Sequence, residues 1–168
     1  MWTERLLTAS GLANRDVRMD WGEAETALNV HLPADYKELC RAFGIGEFSR
    51  YLGILSPRDM LATVKSCTAE DAEPGGLLHP YRIHADEPGG LIPWGWSHTD
   101  TLFFWHAEPP EPGAWPVLVR NEADEEWHRY DMIVSEFITR TLTDPDFTPG
   151  FEGVSVARSA PVPTFEPA

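Results

Sequence analysis

Six histidines, His31, His79, His84, His98, His106 and His128, are the side chains of this sequence best suited to hold a metal or move a proton. Zinc-type centres usually place ligands in HxxxH, HExxH or CxxC spacing, which sets two donors on one face of an element. None of these spacings occurs. A composite site from His98, His106 and His128 would need three adjacent strands to bring them together, and scattered His beside aromatics more often fills surface or core. No metal ligand set is expected. Cys40 and Cys67 have no metal-type spacing, and two cysteines are too few for a disulfide framework. A serine hydrolase of the GxSxG type is absent, and Ser97-His98 are only neighbours in sequence, which fixes no catalytic geometry. The 27 acidic residues make any single carboxylate pair uninformative as an acid–base dyad. Gly44-Ile45-Gly46 follows a predicted helix instead of opening one, and no Lys or Ser completes a phosphate-binding loop. No catalytic residue and no cofactor are expected.

With catalysis unsupported, charge becomes the main functional signal. The net charge is −14, and Lys is almost absent beside eleven Arg. Such a chain repels nucleic-acid phosphates and anionic lipid, so neither nucleic acid nor membrane is an expected partner. It attracts basic proteins and speeds their encounter. The acidity is local. Residues 69–126 carry twelve acids against Arg82 and Arg120, a net of −10, whereas residues 1–68 net −1 and residues 127–168 net −3. This middle third either keeps the protein soluble or docks a basic partner. For docking, the residues expected to make contact are Asp86, Glu87, Trp96, Asp100, Glu108, Glu122, Asp124, Glu125 and Glu126.

A chain of 168 residues with 42% hydrophobic residues, seven Trp and eight Phe can bury a core as one domain. No secretory signal peptide and no run of 18 apolar residues is visible, so the cytoplasm is the expected compartment.

The elements that must position these residues follow from period and punctuation. Asp20 can cap a helix running from Trp21 towards Asn29. Pro33 opens a second, in which Tyr36, Leu39, Cys40 and Phe43 form one apolar stripe. Gly44 ends it and Gly46 begins a turn. Residues 51–55 resemble an edge strand, and Ser56-Pro57-Arg58-Asp59 is a helix start. Residues 69–90 are predicted as a weakly structured surface loop. Beyond them, short runs around Leu91–Trp94, Thr101–Trp105, Pro116–Arg120 and Glu126–Tyr130 predict an antiparallel meander. Phe103-Phe104-Trp105 must turn at least one ring away from the other two, towards a partner or a covering segment. A last helix spans about Met132 to Leu142, capped by Asp131. The predicted class is α+β, N-terminal helices packed on a mostly antiparallel sheet with a C-terminal helix. The domain covers 1–144, with its core about 21–142, and 145–168 form a Pro-rich, loosely attached tail on which Phe147, Phe151 and Val154 could dock.

The order of these pieces resembles a known family. Val30-His31-Leu32-Pro33-Ala34-Asp35-Tyr36 leads to Phe43-Gly44-Ile45-Gly46. Ile92-Pro93-Trp94-Gly95, Asp100 to Trp105, Trp115 to Val119 and Ser135-Glu136-Phe137-Ile138 follow. From about Trp21 to Leu142 this is similar to the SUKH superfamily, which includes the fungal cell-wall-synthesis regulator and many bacterial immunity proteins. The resemblance implies an α+β domain without catalysis. It implies either neutralisation of a cognate toxin, frequently a nuclease, or a regulatory scaffold role. Its motif residues are structural, and none carries over as a binding site. An enzyme would instead require a cleft in which several of Asp100, Glu126, His98, His106 and His128 converge with perturbed pKa values.

Overall fold

The computed structural model describes residues 1–71, 75–85, 87–99, 101–120, 126–149 and 155–168. The fold is α+β. Helices α1 (Trp2–Ser10), α2 (Gly22–Leu28), α3 (Ala34–Phe43) and α4 (Pro57–Asp71) precede most of the sheet, and α5 (Val134–Thr143) and the short α6 (Val156–Ser159) follow it. Strands β1 (Gly46–Phe48), β2 (Leu52–Ile54), β3 (Leu91–Ser97), β4 (Leu102–His106), β5 (Val117–Arg120), β6 (Trp127–Tyr130) and β7 (Phe165–Pro167) form one sheet in the order β6-β5-β4-β3-β2-β1-β7. Every neighbouring pair is antiparallel; short connections account for this along β1–β2 and β3–β6, whereas β2 meets β3 across α4 and β7 returns to β1 from the end of the chain. No helix among the described residues is long and apolar enough to cross a membrane.

Helix α3 forms as its stripe predicts, burying Tyr36, Leu39, Cys40 and Phe43. Burying Leu39 and Phe43 contributes about 2 kcal/mol each. Its last carbonyls are satisfied from outside: Arg15 Nη1 donates to Phe43 O at 2.9 Å, and the Arg15 and Val17 amides donate to Ala42 O and Arg41 O at 2.8 Å. The chain between α1 and α2 therefore closes over the end of α3. Tyr36 ties this helix to the sheet. Its hydroxyl lies 2.8 Å from Leu55 O and 3.0 Å from Trp94 O. Trp94 is the extra residue of a β-bulge, since pairing passes from Pro93↔Phe104 directly to Gly95↔Phe103. The bulge admits Pro93, which has no amide to give the ladder, into a central strand.

Four expectations change. Residues 51–55 are interior, because β1 and β7 lie beyond β2. Gly46 is a strand residue: a Cβ there would stand 2.1 Å from Glu166 O, so only glycine lets β7 approach. The described residues between 69 and 90 are more ordered than their composition implies. Helix α4 runs on to Asp71, Leu78 and Ile83 are fully buried, and Ile83 bridges Leu91. The described residues after 144 do not form a loose tail. Phe147 packs on Tyr130 and Phe137, Val156 and Ala157 are buried, and β7 seals the sheet edge. Phe151 and Val154 lie outside the described residues. Apolar residues spaced between prolines docked where periodicity carried no signal. Helix α1, also unforeseen, packs on α5, with Thr139 Oγ1 donating to Trp2 O at 3.2 Å.

Candidate interaction surface

Strand register sets side chains in rows across the sheet, because directly paired residues share a face. One row runs Glu166, Glu47, Gly53, Trp96 from the β7 edge inwards. It continues through Leu102, Arg120 and Trp127 to the β6 edge. The two halves of this face differ. Over β4 to β6 the 77–85 segment covers it. Trp127 Nε1 donates to His79 O at 2.9 Å, Tyr81 packs edge-on against Trp127 and His106, and Phe103, Phe104 and Trp105 are all buried. The ring expected to turn outwards from that triplet is thus covered by this segment.

Over β7 to β3 the face is partly exposed. Trp96 is partly exposed and lies flat on Gly53, where a Cβ would meet the indole at 2.3 Å. A cleft of about 340 Å³ at the ends of β1, β2 and β7 is lined by Trp96, Glu47, Glu166, Asp59, Leu55 and Ile45. His98 follows β3 and stands edge-on to Trp96, with ring centres 5.2 Å apart, while its Nε2 lies 2.9 Å from Glu47 Oε2. Arg50, in the β1–β2 turn, donates to Glu166 Oε1 at 2.9 Å. Asp59 accepts from Ser56 Oγ at 2.6 Å, and Ser56 Oγ in turn accepts the Asp59 amide at 3.1 Å, so α4 begins at the cleft with its cap formed.

A second concavity, about 240 Å³, lies under the 80–90 turn and is lined by Tyr81, Arg82, Glu87, Gly90, His106 and Glu108. His106 Nδ1 lies 3.9 Å from Glu108 Oε2. Burial pushes its pKa below the usual histidine range; Glu108 opposes and Arg129 assists that shift. His84 anchors the turn. Its Nε2 lies 3.1 Å from Leu28 O while its Nδ1 accepts the Gly89 amide at 3.2 Å, so the neutral ring donates to one and accepts from the other. Burial lowers the His84 pKa as well, against the opposing bond to Leu28.

The expected contact residues therefore divide. Trp96 lies in the first cleft, Glu87 and Glu108 share the second, and Glu126 is exposed just before β6. Asp86, Asp100, Glu122, Asp124 and Glu125 lie outside the described residues. Among the described residues no three His, Cys, Asp or Glu are grouped to hold a metal. His98 and His106 fall at opposite ends of the β3–β4 hairpin. Glu47, Asp59 and Glu166 were not expected at a site. The alternation of Gly46-Glu47-Phe48 does turn Glu47 away from the buried Phe48, but nothing local brings Glu166 beside it. No protein-family model, curated protein or solved structure matches the chain.

Proposed function

We propose that this chain is a non-catalytic, SUKH-like protein-binding domain that acts in the cytoplasm as an immunity protein, neutralising a basic toxin, a nuclease being the leading class. The supporting observation is the charge: −14 overall, with −10 between residues 69 and 126. Glu87 and Glu108 from that region rim one concavity, and Glu47, Asp59 and Glu166 rim another beside an open indole. A nuclease must approach phosphates and so presents a basic cleft, which a rigid acidic surface can occupy in place of nucleic acid.

The test is co-expression with the toxin domain encoded in the neighbouring reading frame, scoring growth and co-purification. Rescue with a complex whose association rate falls as salt rises supports the reading. A complex indifferent to salt rejects charge mimicry. An orphan reading frame and a neutral partner would instead identify a regulatory scaffold of the same fold.

A further inference from the structure

We infer that the open end of the sheet, centred on Trp96, is a docking site for an arginine side chain of the basic partner. This rests on the proposed reading of the chain as a binder of basic proteins and names the group that is bound.

The indole of Trp96 is held in place before any ligand arrives, since Gly53 removes the side chain that would lift it from β2. Around it the cleft presents carboxylates from three separate elements: Glu47 of β1, Glu166 of β7 and Asp59 of α4. A planar guanidinium can lie against an indole and engage a carboxylate with two N–H groups at once, which an ammonium cannot do.

The protein already carries an internal stand-in. His98 contacts Trp96 and Glu47 together, occupying the position between ring and carboxylate that a guest cation would take. Arg50 does the same for Glu166 from the other side. Both are on turns and substantially exposed, with side-chain exposures of 50% for His98 and 78% for Arg50. Exposed pairs of this kind hold weakly, so an incoming arginine displaces them readily. His98 is therefore a competitor of the ligand, which is opposite to what a structural brace would be.

The probe is Nα-acetyl-arginine methylamide, titrated into the full ¹⁵N-labelled chain, with the Trp96 indole signal assigned through Trp96→Phe. Saturable shifts of that indole and of the Gly53 amide are expected, and the lysine analogue binds more weakly. Glu47→Gln weakens binding about threefold to tenfold, the scale of one exposed cation contact. His98→Ala strengthens it about threefold, read at Gly53, as removal of a weakly held competitor requires. Unmoved Trp96 and Gly53 signals, equal binding of the lysine analogue, or weaker binding in His98→Ala each overturn the inference. A neutralised toxin whose complex ignores Glu47→Gln and Trp96→Phe sinks this site and leaves the proposed function standing. Arginine binding without any toxin neutralised does the reverse.

Discussion

The Asp35 carboxylate, in the first turn of α3, accepts the Ser135 amide in the first turn of α5 at 2.9 Å, across one hundred residues of sequence. Asp131, the cap expected from sequence, instead accepts from Arg129 Nε at 2.8 Å. An N-terminal helix thus supplies the cap of the last long helix, and α5 cannot be fully satisfied until α3 has docked.

Asp35→Ala should destabilise the protein by about 1 kcal/mol, the usual value of a lost cap, and Asp131→Ala by much less. Urea denaturation of the two variants checks the order. Equal losses would return the cap to Asp131.

Strand β7 should contribute to global stability and not merely decorate the edge. The Phe165 ring centre lies 4.8 Å from that of Phe48 and 5.6 Å from that of Phe43. Phe165→Ala should cost about 2 kcal/mol, reduced from the full core value because the ring is partly exposed. Gly46→Ala should free β7, since its Cβ cannot coexist with Glu166 O. Hydrogen exchange at the Ala168 amide, which donates to Ile45 O at 2.9 Å, would report that release. Unchanged protection would rule it out.

The 80–90 turn should loosen in mild acid. His84 has a folded pKa below its unfolded value, so its contribution is whole above the unfolded pKa, about 6.5, and is lost as pH falls through the folded value. His84→Gln should reduce that pH dependence, leaving only the part carried by His106, whose pKa burial also lowers. The Leu91 amide, which donates to Arg82 O at 2.8 Å, is the reporter, and acid-independent exchange there would contradict the assignment.

Alkaline instability should begin with Cys40. Burial pushes its thiol far above the ordinary range, and the buried Tyr36 beside it is raised for the same first reason. A raised folded pKa gives stability that is complete below the unfolded value and declines as pH rises past it. The loss should start near pH 8.5, where the unfolded thiol ionises, and deepen near 10 when tyrosine follows. Cys40→Ala should reduce the loss between about pH 8.5 and 10 in a stability-against-pH series, and an unchanged slope there would contradict the assignment.

Much of the frame was legible because local signals suffice for it. The stripe of Tyr36, Leu39, Cys40 and Phe43 made α3, and the β-forming runs from 91 to 130 made the meander, as period and propensity dictate. The open face was only half legible. Trp96 was expected to make a partner contact, but its place on this face was not legible, and Glu47, Asp59 and Glu166 were not expected at all, because three elements far apart in sequence supply them.

By itself the sequence determined the α+β class, the antiparallel order of the central strands and the acidity, since each follows from residue type, spacing or count. Tertiary structure alone decided which helix caps α5, that residues 77–85 cover the β4–β6 face, and that β7 joins the sheet beside Gly46. These are long-range contacts, made by side chains whose local sequence is silent. Their partners are fixed by which surfaces remain uncovered once the core has closed.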